Sequence, residues 1–139
     1  MNLCHTRPTA LIIIFVLMSP ALGCYNPARH NMESMIQRAQ KQFSPSELQS
    51  AVVSVCTTNN GDFIPDQNLP HEILSLSDAK PVAAYVTADA QGNGTLVVIW
   101  GGMEGWGVGV CPPGGLLDTN MDAHIWRWSD GVFFFWGKN

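Results

Sequence analysis

Residues 124–136, HIWRWSDGVFFFW, constrain the fold more than any other stretch, because six large aromatic rings flank one polar pair, Asp130-Gly131. Asp-Gly between apolar runs is a strong local signal for a two-residue hairpin turn. A hairpin closed there pairs Ser129 with Val132, Trp128 with Phe133, Arg127 with Phe134, Trp126 with Phe135 and Ile125 with Trp136. Strand side chains alternate between faces, so this register predicts one uncharged core face of Trp126, Trp128, Phe133 and Phe135. It leaves Ile125, Arg127, Phe134 and Trp136 on the outer face, where Arg127 keeps its guanidinium in water while stacking on a ring. Those four are the expected partner-binding residues, provided that neither long segment, 57–81 or 112–123, covers them.

More strands precede the hairpin. Residues 82–87 and 95–100 flank Asp89-Ala90-Gln91-Gly92-Asn93-Gly94, a hairpin loop by composition. After a turn at Gly101-Gly102-Met103-Glu104-Gly105, residues 106–111 alternate large with small, which puts Trp106, Val108 and Val110 on one face and Gly107, Gly109 and Cys111 on the other. A face so nearly flat lets a helix or an aromatic ring approach the backbone.

Helical periodicity comes earlier in the chain. From Asn31, Met32, Met35, Ile36, Ala39 and Phe43 form a stripe at three- and four-residue spacings. Ser44-Pro45-Ser46-Glu47 then restarts the pattern with a capping box and proline at the first helical position. A short helix inside 69–76 is expected too. The fold class that follows is α+β, with two N-terminal helices packed on a four- to five-stranded antiparallel meander sheet.

The first 23 residues read as a secretory signal: Arg7 without acids, an apolar run at 10–18, then Ser19-Pro20-Ala21-Leu22-Gly23 before Cys24. The run is about half of the roughly twenty residues that a bilayer crossing needs. The expected organisation is therefore a signal peptide at 1–23, a tether at 24–30 and one domain at 31–139. Two processing routes are open. Ala21-Leu22-Gly23 fits a small-x-small cleavage site, whereas Gly23-Cys24 resembles the end of a lipobox, with Cys24 as the lipid-attachment residue. Cysteine parity bears on the choice, since removal of Cys4 leaves Cys24, Cys56 and Cys111. An odd thiol in an oxidising compartment calls for an explanation, and lipidating Cys24 leaves an even pair. Cys56 and Cys111 are the expected disulfide. The location expected is outside the cytoplasm: periplasmic, lipid-anchored to a membrane, or extracellular.

Without residues 1–23 the chain has six basic and eleven acidic residues, a formal net charge of −5. Nucleic acid and anionic lipid are not electrostatically favoured partners; membrane contact is expected only through a lipid on Cys24. Catalytic signals are weak. Cys56 or Cys111 with His71 or His124 would make a thiol nucleophile and base, yet no local motif surrounds either cysteine. The glycines of 101–107 lack the strand-to-helix context of a phosphate cradle. Asp118-Thr119-Asn120-Met121-Asp122 begins like a calcium loop, but Ala123 and Ser129 stand where glycine and glutamate are needed. Asn93-Gly94-Thr95 is a glycosylation sequon. The expectation is thus a small exported envelope protein that binds an unknown protein or envelope component through the outer face of the last hairpin and the glycine-rich turn 101–107, with no enzymatic activity, cofactor or metal. An inhibitor of an extracytoplasmic enzyme is the alternative, and a small Cys/His hydrolase is the alternative of another class.

Overall fold

The computed structural model describes residues 25–59, 61, 63–88, 92–115, 117 and 121–138. The leader, Cys24 and the calcium-like residues 118–120 lie outside the described residues. The fold is α+β, built on one five-stranded antiparallel sheet.

Helix α1, Pro27–Gln42, opens where Asn26 accepts a hydrogen bond from the Arg29 N–H at 3.0 Å and Pro27 takes the first helical position. Residues 27–30, read in the sequence as tether, are therefore its first turn, and Ala28 is buried. Its apolar stripe Ala28, Met32, Met35 and Ala39 packs on β3 and β5. Helix α2, Pro45–Ala51, begins with the expected capping box: the Glu47 carboxylate accepts from the Ser44 N–H at 2.6 Å, and Ser44 Oγ accepts from the Glu47 N–H at 3.4 Å. The Ser44 N–H and the Ser44 hydroxyl, which donates to the same carboxylate at 2.8 Å, hold the Glu47 carboxyl below its ordinary pKa. Buried Val52 breaks the helix, and α3, Val53–Thr58, carries Cys56. A short α4, His71–Leu74, follows.

The strands are β1, Ala83–Ala88; β2, Gly94–Trp100; β3, Glu104–Val110; β4, His124–Ser129; and β5, Val132–Lys138, in the spatial order β1-β2-β3-β5-β4. The sheet is not the simple meander expected: the chain leaves β3, runs across one face, enters at the far edge as β4 and returns as β5 between them. The Phe-rich strand thereby gains neighbours on both sides, so that Val132 to Phe135 are all fully buried.

Both faces of the sheet are covered. The helices and residues 64–76 bury the side that carries Val86, Leu96, Val108 and Phe134. Leu117, Met121 and Ala123 pack on the other side over Val97, Ile99, Phe133 and Phe135. The flat side of β3 receives rings: Gly109 is paired with Phe133 and Gly107 with Phe135. A Cβ at either glycine would collide with those rings.

The final hairpin departs from the expected register. Ser129 pairs with Val132, but Arg127 then pairs with Phe133, Trp126 with Phe134, Ile125 with Phe135 and His124 with Trp136. Trp128 is an extra residue, a β-bulge. Were Trp128 paired in a regular register, Arg127 would oppose Phe134 on the helix side. The bulge moves Arg127 to the opposite face and puts Trp126 across from Phe134, the two rings 5.9 Å apart.

Candidate functional site

The two edges of the sheet are finished differently. Outside β1, the Gly61 N–H donates to the Val86 carbonyl at 3.0 Å, the Ile64 N–H donates to the Ala84 carbonyl at 2.8 Å, and Phe63 bridges Tyr85. Ile64 is fully buried, which fastens this guard to the core. Outside β4, no backbone among the described residues pairs with the strand. An uncovered edge presents unpaired N–H and C=O groups to any extended chain.

Beside the open edge lies a groove of about 370 Å³ between α1 and the hairpin. Its apolar wall is Met32 and Ile36 from α1 with Trp126 and Trp136 from the sheet, and Ile125 borders it. Arg29, Glu33, Gln37 and Gln40 form the polar rim, where Arg29 Nε donates to the Glu33 carboxylate at 2.9 Å. Trp126 is 36 % exposed. Trp136 is half-buried, and the exposed His124 ring stacks on it at 4.8 Å. They end an aromatic row that runs Trp100, Trp106, Trp136, His124 across four strands. Exposure along the row increases from fully buried Trp100, whose indole N–H donates to the Ala79 carbonyl, toward the open edge.

The four residues expected to share an outer face are divided by the bulge. Phe134 is fully buried on the helix side, and Trp136 lies on that same side. Ile125 packs against the opposite cluster, and Arg127 is exposed on that face. Ile125 and Trp136 do meet at the groove, one from each face of the edge. Trp126, assigned to the core by the unbulged register, is the aromatic residue that the edge displays. Arg127 gives no signal for it, because it lies on an outer face in the unbulged register too.

The far end of the sheet holds the cysteines. Cys56 lines a cleft of about 510 Å³ with Gly94, Asn93 and Pro112 to Gly115. Both thiols are free in this structure, so the expected bridge is not formed here. Cys111 is buried and its thiol donates to the Gly115 carbonyl at 3.3 Å. Burial raises the Cys56 pKa to about 11, and the charge of the nearby Cys111 adds to the rise; burial raises Cys111 as well. Neither thiol has the lowered pKa that activates a cysteine nucleophile.

His71 and His124 do not line that cleft; His124 stands at the opposite end, stacked on Trp136. The structure therefore brings no Cys/His pair together there. Among the described residues no three His, Cys, Asp or Glu side chains converge on a metal position. Asp122, the described acid of the calcium-like stretch, is exposed. At the glycine turn the Trp106 ring lies against Gly101, which has φ +84°. No helix among the described residues is long and apolar enough to cross a membrane. No protein-family model matches the chain, and neither a characterised protein nor a solved structure matches it.

Proposed function

We propose that the chain is an exported envelope protein, held to a membrane by a lipid on Cys24, that binds an extended segment of another protein along β4. The leader layout and the odd cysteine left after its removal support export and lipidation. The observation that carries the binding is the open β4 edge beside the Trp126 groove, on a sheet whose other edge is closed.

The bulge at Trp128 limits the run available for pairing to His124–Arg127. An added strand lies about 4.8 Å from β4. Every second side chain of that strand then points toward the groove, against Trp126, Met32 and Ile36. Main-chain hydrogen bonds supply affinity and the groove supplies selectivity, as in other strand-addition modes. A net charge of −5 on the mature chain disfavours strongly acidic segments, so the partner segment is neutral or basic with apolar residues at alternate positions. No catalytic step or cofactor belongs to this function.

Selection of peptides from a random display library against the purified protein tests it. Enriched sequences should alternate apolar with polar residues, and Trp126→Glu should weaken them at least tenfold. Enrichment of nothing, or of peptides indifferent to Trp126→Glu, defeats the proposal. A diacylglycerol mass on the N-terminal peptide tests the anchor. The proposal includes a Cys56–Cys111 bridge formed after export by exchange with a disulfide donor, which takes up the two electrons and two protons of the thiols. A bridge closing 55 residues (111 − 56) stabilises by roughly 4 kcal/mol on the chain-entropy model. Peptide mapping without reductant detects it, and two unlinked peptides exclude it.

A further inference from the structure

The end of the sheet from which the N-terminus departs differs from the cysteine end in what it exposes. Asn26 lines a cleft with Glu104, His124, Trp136 and Gly137, so the chain preceding it leaves beside the start of β3, the start of β4 and the end of β5. Met103, immediately before Glu104, is 94 % exposed; Tyr25 is 76 % exposed. Val82, whose N–H donates to the Ile99 carbonyl beside the same turn, is 56 % exposed. Three of the six exposed large apolar residues among the described ones thus lie at one end, with the Tyr25 ring 6.1 Å from that of His30.

In the turn that carries Met103 the Trp106 ring lies against Gly101, and nothing lies within 4 Å of where a Gly102 side chain would begin. A lone exposed methionine needs no explanation. A methionine, a tyrosine and a valine at the end where the chain runs directly into Cys24 are different, because consecutive Cα atoms are about 3.8 Å apart.

From this juxtaposition we infer that this end of the sheet is seated on the bilayer, with Met103, Tyr25 and Val82 inserted among the headgroups. The inference rests on the lipid anchor at Cys24 proposed above. Tyrosine suits that depth, since its ring and hydroxyl match the apolar and wet sides of the interface. Charge adds little: among the described side chains at this end Lys80 stands with Glu104 and Asp122, and Arg29 and Arg38 are paired with Glu33 and Asp78. Contact is therefore indifferent to the fraction of anionic lipid. The strands then run away from the membrane, the Cys56 cleft faces outward, and the open β4 edge is reached from the side.

Lipid-proximity labelling of the full chain tests this seat. An environment-sensitive fluorophore is attached at Met103→Cys or, separately, at Asp130→Cys on the far turn, in a Cys56→Ala background that leaves buried Cys111 and Cys24, whose lipid or free thiol the N-terminal mass identifies. Each protein is purified from membranes and reconstituted into phosphatidylcholine vesicles with and without phosphatidylglycerol, and the N-terminal mass is read on the same sample. The expected result is strong quenching by spin-labelled lipid at position 103, none at 130, and no dependence on phosphatidylglycerol. A lipidated protein with position 103 unquenched, or with both positions quenched alike, overturns the seat and leaves the anchor standing. A chain without lipid on Cys24 overturns the anchor, and the seat with it.

Discussion

The β1 and β4 edges belong to one sheet, yet β1 is guarded by Gly61, Phe63 and Ile64, and among the described residues nothing pairs with the outer side of β4. Native sheets usually protect both edges, because an exposed ladder recruits other chains indiscriminately. Here β4 has only partial protection: the bulge at Trp128 interrupts the ladder, and Arg127 adds a charge. The difference separates two tasks. The guarded edge is fastened into the core through Ile64, whereas the open edge is short and interrupted by its bulge, which under the proposed function makes it selective in what can add to it.

If the guard is structural, Ile64→Ala has the largest effect of the changes considered. Ile64 is fully buried against the helix-side core, and truncating such a residue costs about 2–5 kcal/mol. Urea denaturation should show that loss. Hydrogen exchange should quicken at the Gly61 and Ile64 amides while β4 is unaffected. Equal quickening on both edges would break the contrast.

The next effect concerns the bulge. Deleting Trp128 closes the bulge: Arg127, now joined to Ser129, stays opposite Phe133, and Trp126 stays opposite Phe134. What is lost is the Trp128 ring, 6.2 Å from Phe134, a pair worth about 1 kcal/mol beyond the area it buries. Urea denaturation should show at least that loss while peptides selected for Trp126 still bind. Loss of peptide binding would mean that the bulge itself shapes the open edge.

These tests also mark how much was legible in the sequence. Strands and turns were readable because Asp130-Gly131 and the period-two runs are local signals. The Ser44 capping box was readable for the same reason. The start of α1 was missed because Asn26-Pro27 reads as coil when judged by periodicity, although the pair is a cap followed by a first-turn proline. The strand order was not accessible, since nothing local says that β5 returns between β3 and β4. Phe133 and Phe135 were placed on the correct strand and the wrong side: one extra residue exchanges every side chain between faces. The site at Trp126 followed the same error.

Cys56 offers a smaller effect with a defined sign. Its thiol titrates at 9.0 ordinarily and at about 11 here because burial disfavours the thiolate. The folded protein holds this proton more tightly than the unfolded chain does. The resulting stability is complete below pH 9 and disappears as pH rises toward 11. With the side chain partly open to solvent, screening reduces the effect to about 1 kcal/mol. Denaturation midpoints across that window should fall in the reduced protein and stay level once Cys56 is bridged. A fall that survives oxidation would belong to another group.

Trp126→Ala should have the least effect on stability and the greatest on recognition. Trp126 is a third exposed, and its clearest specific contact is the tilted ring of Phe134 at 5.9 Å. Losing that pair costs about 1 kcal/mol. Because the ring stands where an added strand would place its inward side chains, the same substitution should weaken selected peptides at least tenfold. Melting curves and peptide titrations on one preparation compare the two readouts directly. If Trp126→Ala destabilised the fold as much as Ile64→Ala, the ring would be closing the β4 edge against the core, and the two edges would differ only in how they are sealed.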